Sequence, residues 1–279
     1  MKKYPFIILI FFCKGLMAQE LFVFTEPASN MAKGSIAVRA TGKLMKWETV
    51  NGFSYRTGTE LMVGVSRKIM LHVNLYASDV YSPWLRFEGG SVYMKYRFFS
   101  NDDVHSHFRM AAFAKAAVIS SSGLFQRAFL NEIDFDGNNS GWQTGIVATK
   151  LMNKIALSTS ASYLQAVNNV NAGNFPEGRA KHAFNYTFSA GYLLFPKEYT
   201  NYRQTNINIM AEYLGQQLLD GSGSYNSICP SVQFIFNSIA RVDMGVQLPV
   251  LSTGNKIFTA VYLLRVEYNF LNAIKSKNK

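Results

Sequence analysis

The sequence predicts an all-β fold: an antiparallel, up-and-down transmembrane β-barrel of about twelve strands. Three observations carry this. Apolar and polar residues alternate with period 2 in twelve stretches of roughly 10–15 residues, the length a tilted strand needs to cross a bilayer. The connections between these stretches alternate between short and long. The chain is poor in charge, at 16% Asp, Glu, Lys and Arg against about 25% in an average soluble domain, yet 14% of it is aromatic. Its mean hydropathy of +0.01 says that the apolar residues are spread out rather than massed.

The first element is a leader. Lys2 and Lys3 precede the apolar run PFIILIFFC (5–13), and KGLMAQ follows, with Ala18 suited to precede a cleavage site. This is the layout of a secretory signal peptide over 1–18, too short for a membrane span. Cys13 follows the bulky Phe12, where lipidation needs a small residue, so no lipid anchor is expected. Cys229 is then the single cysteine of the mature chain, which rules out an internal disulfide. The formal charge of +11 includes Lys2, Lys3 and Lys14 of the leader. An exported chain with no basic run and no nucleic-acid motif is not expected to bind nucleic acid.

Residues 19–33, QELFVFTEPASNMAK, form a separate segment. Leu21, Phe22, Val23 and Phe24 in a row are poorly suited to a frayed terminus. The segment is expected to dock, either as a plug inside the barrel or at its periplasmic mouth.

The barrel is expected over 34–270, with strands near 34–45, 53–66, 68–78, 84–99, 106–119, 141–151, 153–165, 181–195, 202–215, 225–238, 239–250 and 257–270. In the last of these Phe258, Ala260, Tyr262, Leu264, Val266, Tyr268 and Phe270 form one set. The opposite set, Thr259, Val261, Leu263, Arg265, Glu267 and Asn269, begins apolar and ends in charge. A soluble sandwich turns its apolar face inward, whereas a transmembrane barrel turns it to lipid and keeps a polar lumen. Strand length and the large aromatics of the apolar set favour the barrel.

The connections agree. SRK, MNK and NS are tight turns, while 120–140, 166–180 and 216–224 are long. Short periplasmic turns opposite long outer loops are the pattern of outer-membrane barrels. An even strand number places both termini on the periplasmic side, with 271–279 as a short tail. Trp47, Trp84 and Trp142 fall near the outer rim, where interfacial aromatics belong. The alternation changes phase at Gly89 and Gly90, which predicts a bulge. Pro230 has no N–H to donate and is expected near the outer end of its strand.

The stretches EPASNMAKGSIAVR (26–39), GGSVYMKYRFFSNDDVHSHFRMAAFA (89–114) and PKEYTNYRQTNINIMAE (196–212) resemble a largely uncharacterised family of exported barrel proteins of Gram-negative bacteria. The architecture is also similar to outer-membrane proteins associated with phenol degradation and, more remotely, to barrels of the fatty-acid-transporter type. The resemblance implies an outer-membrane barrel and carries no substrate and no catalytic residue. Apart from the resemblance, the partners expected for such a barrel are outer-membrane lipid, the outer-membrane assembly machinery and a small-molecule solute, with no cofactor.

Strand phase turns nine bases inward, Arg39, Lys43, Arg56, Lys95, Arg97, Arg109, Lys115, Arg241 and Arg265, against four acids, Glu60, Glu212, Asp243 and Glu267. Arg241, Asp243, Arg265 and Glu267 are expected to lie side by side toward the periplasmic end. Two readings stay open: a charge-lined passage with an anion bias, or a salt-bridge network that fills a narrow lumen. Asp102, Asp103, His105 and His107 offer carboxylates and imidazoles within six residues, a candidate transition-metal site beside the plainer reading of a polar turn. DFDGNNSG (134–141) has the composition of a calcium loop, but Gly137 comes too early for an EF-hand. G-x-S-x-G is absent, and neither His72 nor His182 stands beside a telling nucleophile, so no enzyme is expected. The role expected is passage of a small solute, with a non-transporting envelope or surface-binding barrel second and an outer-membrane hydrolase third.

Overall fold

The computed structural model describes residues 22–48, 51–80, 82–103, 106–120, 132–170, 178–197, 203–254 and 256–274. The leader over 1–18 lies outside the described residues, as do residues 19–21, His105 and the last residues of the tail.

Twelve antiparallel strands form one closed barrel in which each strand pairs with its neighbours in sequence and β1 closes on β12. They are β1 (Ile36–Trp47), β2 (Phe53–Gly64), β3 (Ile69–Ser78), β4 (Arg86–Asp102), β5 (Ser106–Ile119), β6 (Ser140–Met152), β7 (Ile155–Val167), β8 (His182–Phe195), β9 (Asn206–Leu218), β10 (Ser224–Phe236), β11 (Ala240–Val250) and β12 (Phe258–Phe270). The seam runs from Ile36 opposite Phe270 to Trp47 opposite Phe258. Closure leaves no edge strand, so the wall's main-chain groups have partners within the wall.

One face of the alternation points out. Leu61, Val73, Leu75, Val92, Phe188, Tyr262, Leu264 and Val266 are all exposed, while their chain neighbours turn into the barrel. One mouth carries the tight connections and both ends of the barrel domain. At this mouth Asn153 at φ 51°, Asn237 at φ 51° and Ser238 at φ 59° take the left-handed conformation of short hairpin turns, which asparagine tolerates better than most side chains. The other mouth carries the long connections.

Several local features depart from the sequence reading. The expected bulge is present, one residue earlier: Tyr76 pairs with Gly89 and Ala77 with Phe87, so Glu88 has no opposite number and turns inward. Gly89 takes φ +139°, and a Cβ there would meet the Val118 carbonyl oxygen at 2.1 Å. A second bulge at Phe98 leaves Phe98 and Phe99 both exposed and pairs Asp102 with His107. A third, at Thr259, lets Lys46 pair with Ala260 and Trp47 with Phe258, which breaks the strict alternation read along β12.

Pro230 sits in mid-strand rather than at the outer end of β10. It pairs with Ala211 on the β9 side, while the β10–β11 ladder is interrupted between Ile228 and Ser231. The missing N–H is thus absorbed by a gap in one ladder. Trp47 ends β1 at the long-loop mouth, as expected, but it is half-buried, and its indole Nε1–H donates to the inward Ser54 hydroxyl at 3.1 Å. Trp84 and Trp142 are exposed at the long-loop mouth.

A closed barrel of this kind unfolds as a unit. The purified protein should require detergent to stay in solution, give a β-type circular dichroism spectrum, and migrate differently on gels before and after boiling. A chain that stays monodisperse without detergent, or one with a helical spectrum, would contradict the fold.

Candidate functional site

The interior is the candidate site, and cross-strand register builds it. Arg241 is the direct partner of Glu267, Glu267 of Arg39, and Arg39 of Glu60. Alternating charge therefore runs in one row across β11, β12, β1 and β2. Opposite charges in directly paired positions on one face attract, and here they do so away from water. Arg241 Nη2 lies 2.8 Å from Glu267 Oε2, and Arg39 reaches Glu267 and Glu60 at 2.8 Å each. The row extends to Asp243, 3.1 Å from Arg241, and to His72, whose Nδ1 is 2.6 Å from Glu60 Oε1. Arg265 stands 3.9 Å from Asp243. Asp243 is wholly buried, and Arg39, Arg241 and Glu267 nearly so.

Residues 22–32 lie inside the barrel and cross it from the β9 wall to the β2 wall. The buried Glu212 of β9 accepts the backbone N–H groups of Val23 and Phe24 on Oε1 and of Thr25 on Oε2, each at 2.9 Å. The Thr25 hydroxyl adds a fourth donor at 2.8 Å. Lys95 of β4 donates to the Pro27 carbonyl at 2.7 Å and stands 3.6 Å from Glu26. Glu26 also meets Arg39 at 3.1 Å. Thr149 accepts from the Ala28 N–H, and Arg109 donates to the Ser29 hydroxyl. Phe22 and Val23 are buried against Ala156, Met210 and Leu263. Glycines make the room: a Cβ on Gly245 would come within 2.7 Å of the Phe24 ring, and one on Gly64 within 2.1 Å of the Ala32 carbonyl oxygen.

A second group enters from the long-loop mouth. Ile133 and Phe135, in the connection before β6, pack into an apolar cluster with Tyr76, Ile119, Leu164, Leu218 and Tyr225. The Gln216 amide holds both main-chain groups of Ile133. Asp134 pairs with Arg56 at 3.3 Å, and Asp136 with Lys115 at 2.5 Å and Lys43 at 3.7 Å. Burial alone would raise the Asp136 carboxyl, but Lys115 and Lys43 outweigh it and hold the group well below the usual carboxylate range. The DFDGNNSG loop thus spends its carboxylates on wall cations rather than gathering them as a calcium loop does.

The expected surplus of bases over acids is corrected by the structure. Glu26, Glu88, Asp102, Asp134 and Asp136 all pair with inward bases. Glu88 is itself the extra residue of a bulge, Asp102 lies beyond one, and the other three lie outside the strands, so period-2 counting missed them all. Arg97 lies at the short-turn mouth, where it donates to the Arg67 carbonyl. The proposed metal group is only partly described, since His105 lies outside the described residues. Asp102 Oδ1 is engaged by Arg109 at 2.9 Å and by His107 at 3.0 Å, and Asp103 closes the turn by donating its N–H to the Ser106 carbonyl. Among the described residues no group of three or more His, Cys, Asp or Glu is placed to hold a metal ion.

Comparison with known proteins supplies a fold and no family. No family profile matches the sequence, and no curated protein is similar to it. Among solved structures the chain is similar to the COG4313 outer membrane channel from Pseudomonas putida F1, with a TM-score of 0.56, 10% identity, and coverage of 89% of this chain and 100% of that one. It is also similar to a KdgM porin, with a TM-score of 0.48, 9% identity, and coverage of 84% and 99%. At these identities the likeness is one of fold.

Two measurements check the site. Arg241→Ala leaves Asp243 and Glu267 short of a buried counter-charge, and should lower unfolding stability in detergent by about 3–5 kcal/mol. Glu132, at the edge of the inward loop, has its carboxyl pushed up to about 7 by burial and by the charge of Asp134, against Lys43. A raised carboxyl favours the folded loop when protonated, fully so below its ordinary value of 4.5, and loses that contribution as pH rises through about 7. Amide exchange at 132–139 should therefore speed up relative to the strands between pH 5 and pH 8, and Glu132→Gln should flatten the change.

Proposed function

We propose that this protein is an outer-membrane channel for a small solute, held closed in this structure by residues 22–32. The apolar outer face, the closed ladder and the polar interior support the membrane setting; the short-turn mouth and both termini then face the periplasm. One observation carries the channel reading. Apart from Gly34 and Ser35 at its exit, the crossing segment adds no strand to the wall, and it is held mainly by side chains of Glu212, Lys95, Thr149, Arg109 and Arg39. The barrel is complete without it, so the segment is an occupant of the passage. With the occupant gone, Glu26 no longer offsets Arg39 and Lys95, and the wall becomes more basic at that level.

A second reading, a non-transporting envelope barrel, draws on the dense pairing of interior charge. Single-channel recording in planar bilayers separates the two. The full chain should conduct rarely and the chain lacking 19–33 should conduct steadily, with a weak anion preference that Arg241→Ala or Arg265→Ala reduces and high salt screens. No conductance after the deletion would favour the structural barrel. Cation preference, or no effect of either substitution, would reject the anion bias.

A further inference from the structure

Glu212 is a carboxylate in the wall whose donors, Ser189 apart, all belong to the crossing segment: three successive N–H groups and one hydroxyl. Among the described residues no base stands within 4 Å of it. Lys95 is its counterpart, a wholly buried cation whose partners, Glu26 and the Pro27 carbonyl, also belong to the segment. If the segment withdraws, Glu212 and Lys95 lose these partners and are left facing the emptied passage, one negative and one positive charge. The interior therefore favours a replacement that brings N–H donors or an ammonium group to Glu212 and a carboxylate or carbonyl to Lys95.

The contacts also read main chain more than side chain. Val23, Phe24, Thr25 and Ala28 are held through their N–H groups and Pro27 through its carbonyl, which are features any peptide possesses. Side-chain room beside them is apolar, against Met210 and Leu263 and over Gly191 and Gly245. The two charges are bridged by the short run from Val23 to Pro27, and five residues extend over about 18 Å at most.

We infer that the interior between Glu212 and Lys95 is a binding site for short peptides, and that residues 22–29 are its resident intramolecular occupant. This deepens the channel reading by naming peptides of about four or five residues as the solute class, yet binding can be measured whether or not the protein conducts. A ligand in solution competes with a tethered occupant whose effective concentration is in the millimolar range, so the test weakens the occupant and leaves the wall intact. Thr25→Pro removes an N–H, and with it the hydroxyl, from Glu212; Glu26→Gln weakens the segment's hold on Arg39 and Lys95 and keeps its backbone unchanged.

The experiment is calorimetric titration of the full chain in detergent with the tetrapeptide Phe-Thr-Glu-Pro, alongside succinate and putrescine. Wild type should bind the peptide weakly, and Thr25→Pro or Glu26→Gln at least about tenfold more tightly, as expected for a weakened tethered competitor. Adding Glu212→Gln or Lys95→Met to either variant should abolish that gain. Gel migration before and after heating confirms that each variant forms the barrel, and Glu26→Gln serves alone if Thr25→Pro does not. Peptide affinity equal to wild type in the folded variants, no binding at all, or succinate or putrescine binding as tightly as the peptide would overturn the inference. A variant that binds peptide but passes no current overturns the channel reading alone; one that conducts and binds no peptide overturns this inference alone.

Discussion

Everything in this structure depends on the seam between β1 and β12. Pairing Ile36–Trp47 with Phe258–Phe270 turns a twelve-stranded sheet into a wall without edges. A bilayer offers no water to an unpaired N–H or carbonyl, so closure is the condition under which so apolar an outer face can exist. The same seam carries Glu267, which lies between Arg39 on one side and Arg241 on the other. The residue pairing that shuts the barrel therefore also joins the two ends of its interior charge row.

Closure creates an interior that must be satisfied from within. Arg39, Arg241, Asp243 and Glu267 are almost entirely buried, and charges so placed are tolerable only when paired and hydrogen-bonded. The wall supplies part of the pairing through register. The remainder comes from two pieces of chain that are not part of the wall, the segment with Glu26 and the loop with Asp134 and Asp136. Glu26, Asp134 and Asp136 each meet bases of the wall, while the wall's Glu212 meets main-chain N–H groups of the segment. This complementarity gives the interior its function in the proposed reading: what holds the occupants in place is the chemistry a solute would have to match.

The two occupants are held differently. The loop at the long-loop mouth buries Ile133 and Phe135 in a large apolar cluster and has its main chain clasped by Gln216 and Asn169, a firm attachment. The crossing segment buries Phe22 and Val23 in a smaller cluster and depends for its polar contacts on Glu212 and Lys95. An occupant held by a few charged side chains is the easier of the two to displace, which is why the channel reading assigns the gate to the segment and leaves the loop as a fixed lining.

The number of strands, their order, the outward set along their unbroken stretches and the position of the tight turns are all legible in the chain itself. Each of these is written in a local signal: a period of 2, a length, or a pair of turn residues such as Asn237 and Ser238. The sequence also placed Glu60, Glu212, Arg241 and Asp243 inside, because strand phase is reliable over unbroken stretches. The tertiary structure decided the rest. Bulges at Phe98 and Thr259 invert the phase with no break in the pattern to announce them, and whether an extra residue is accommodated depends on the partner strand. The acceptor that Ser54 on the neighbouring strand offers the Trp47 indole is likewise set by the pairing of β1 with β2. The row Arg241–Glu267–Arg39–Glu60 exists only once register aligns strands far apart in sequence. The match between Glu212 and the N–H groups of residues 23–25 joins positions 187 to 189 residues apart, and no periodicity in a segment that is neither strand nor helix could announce it.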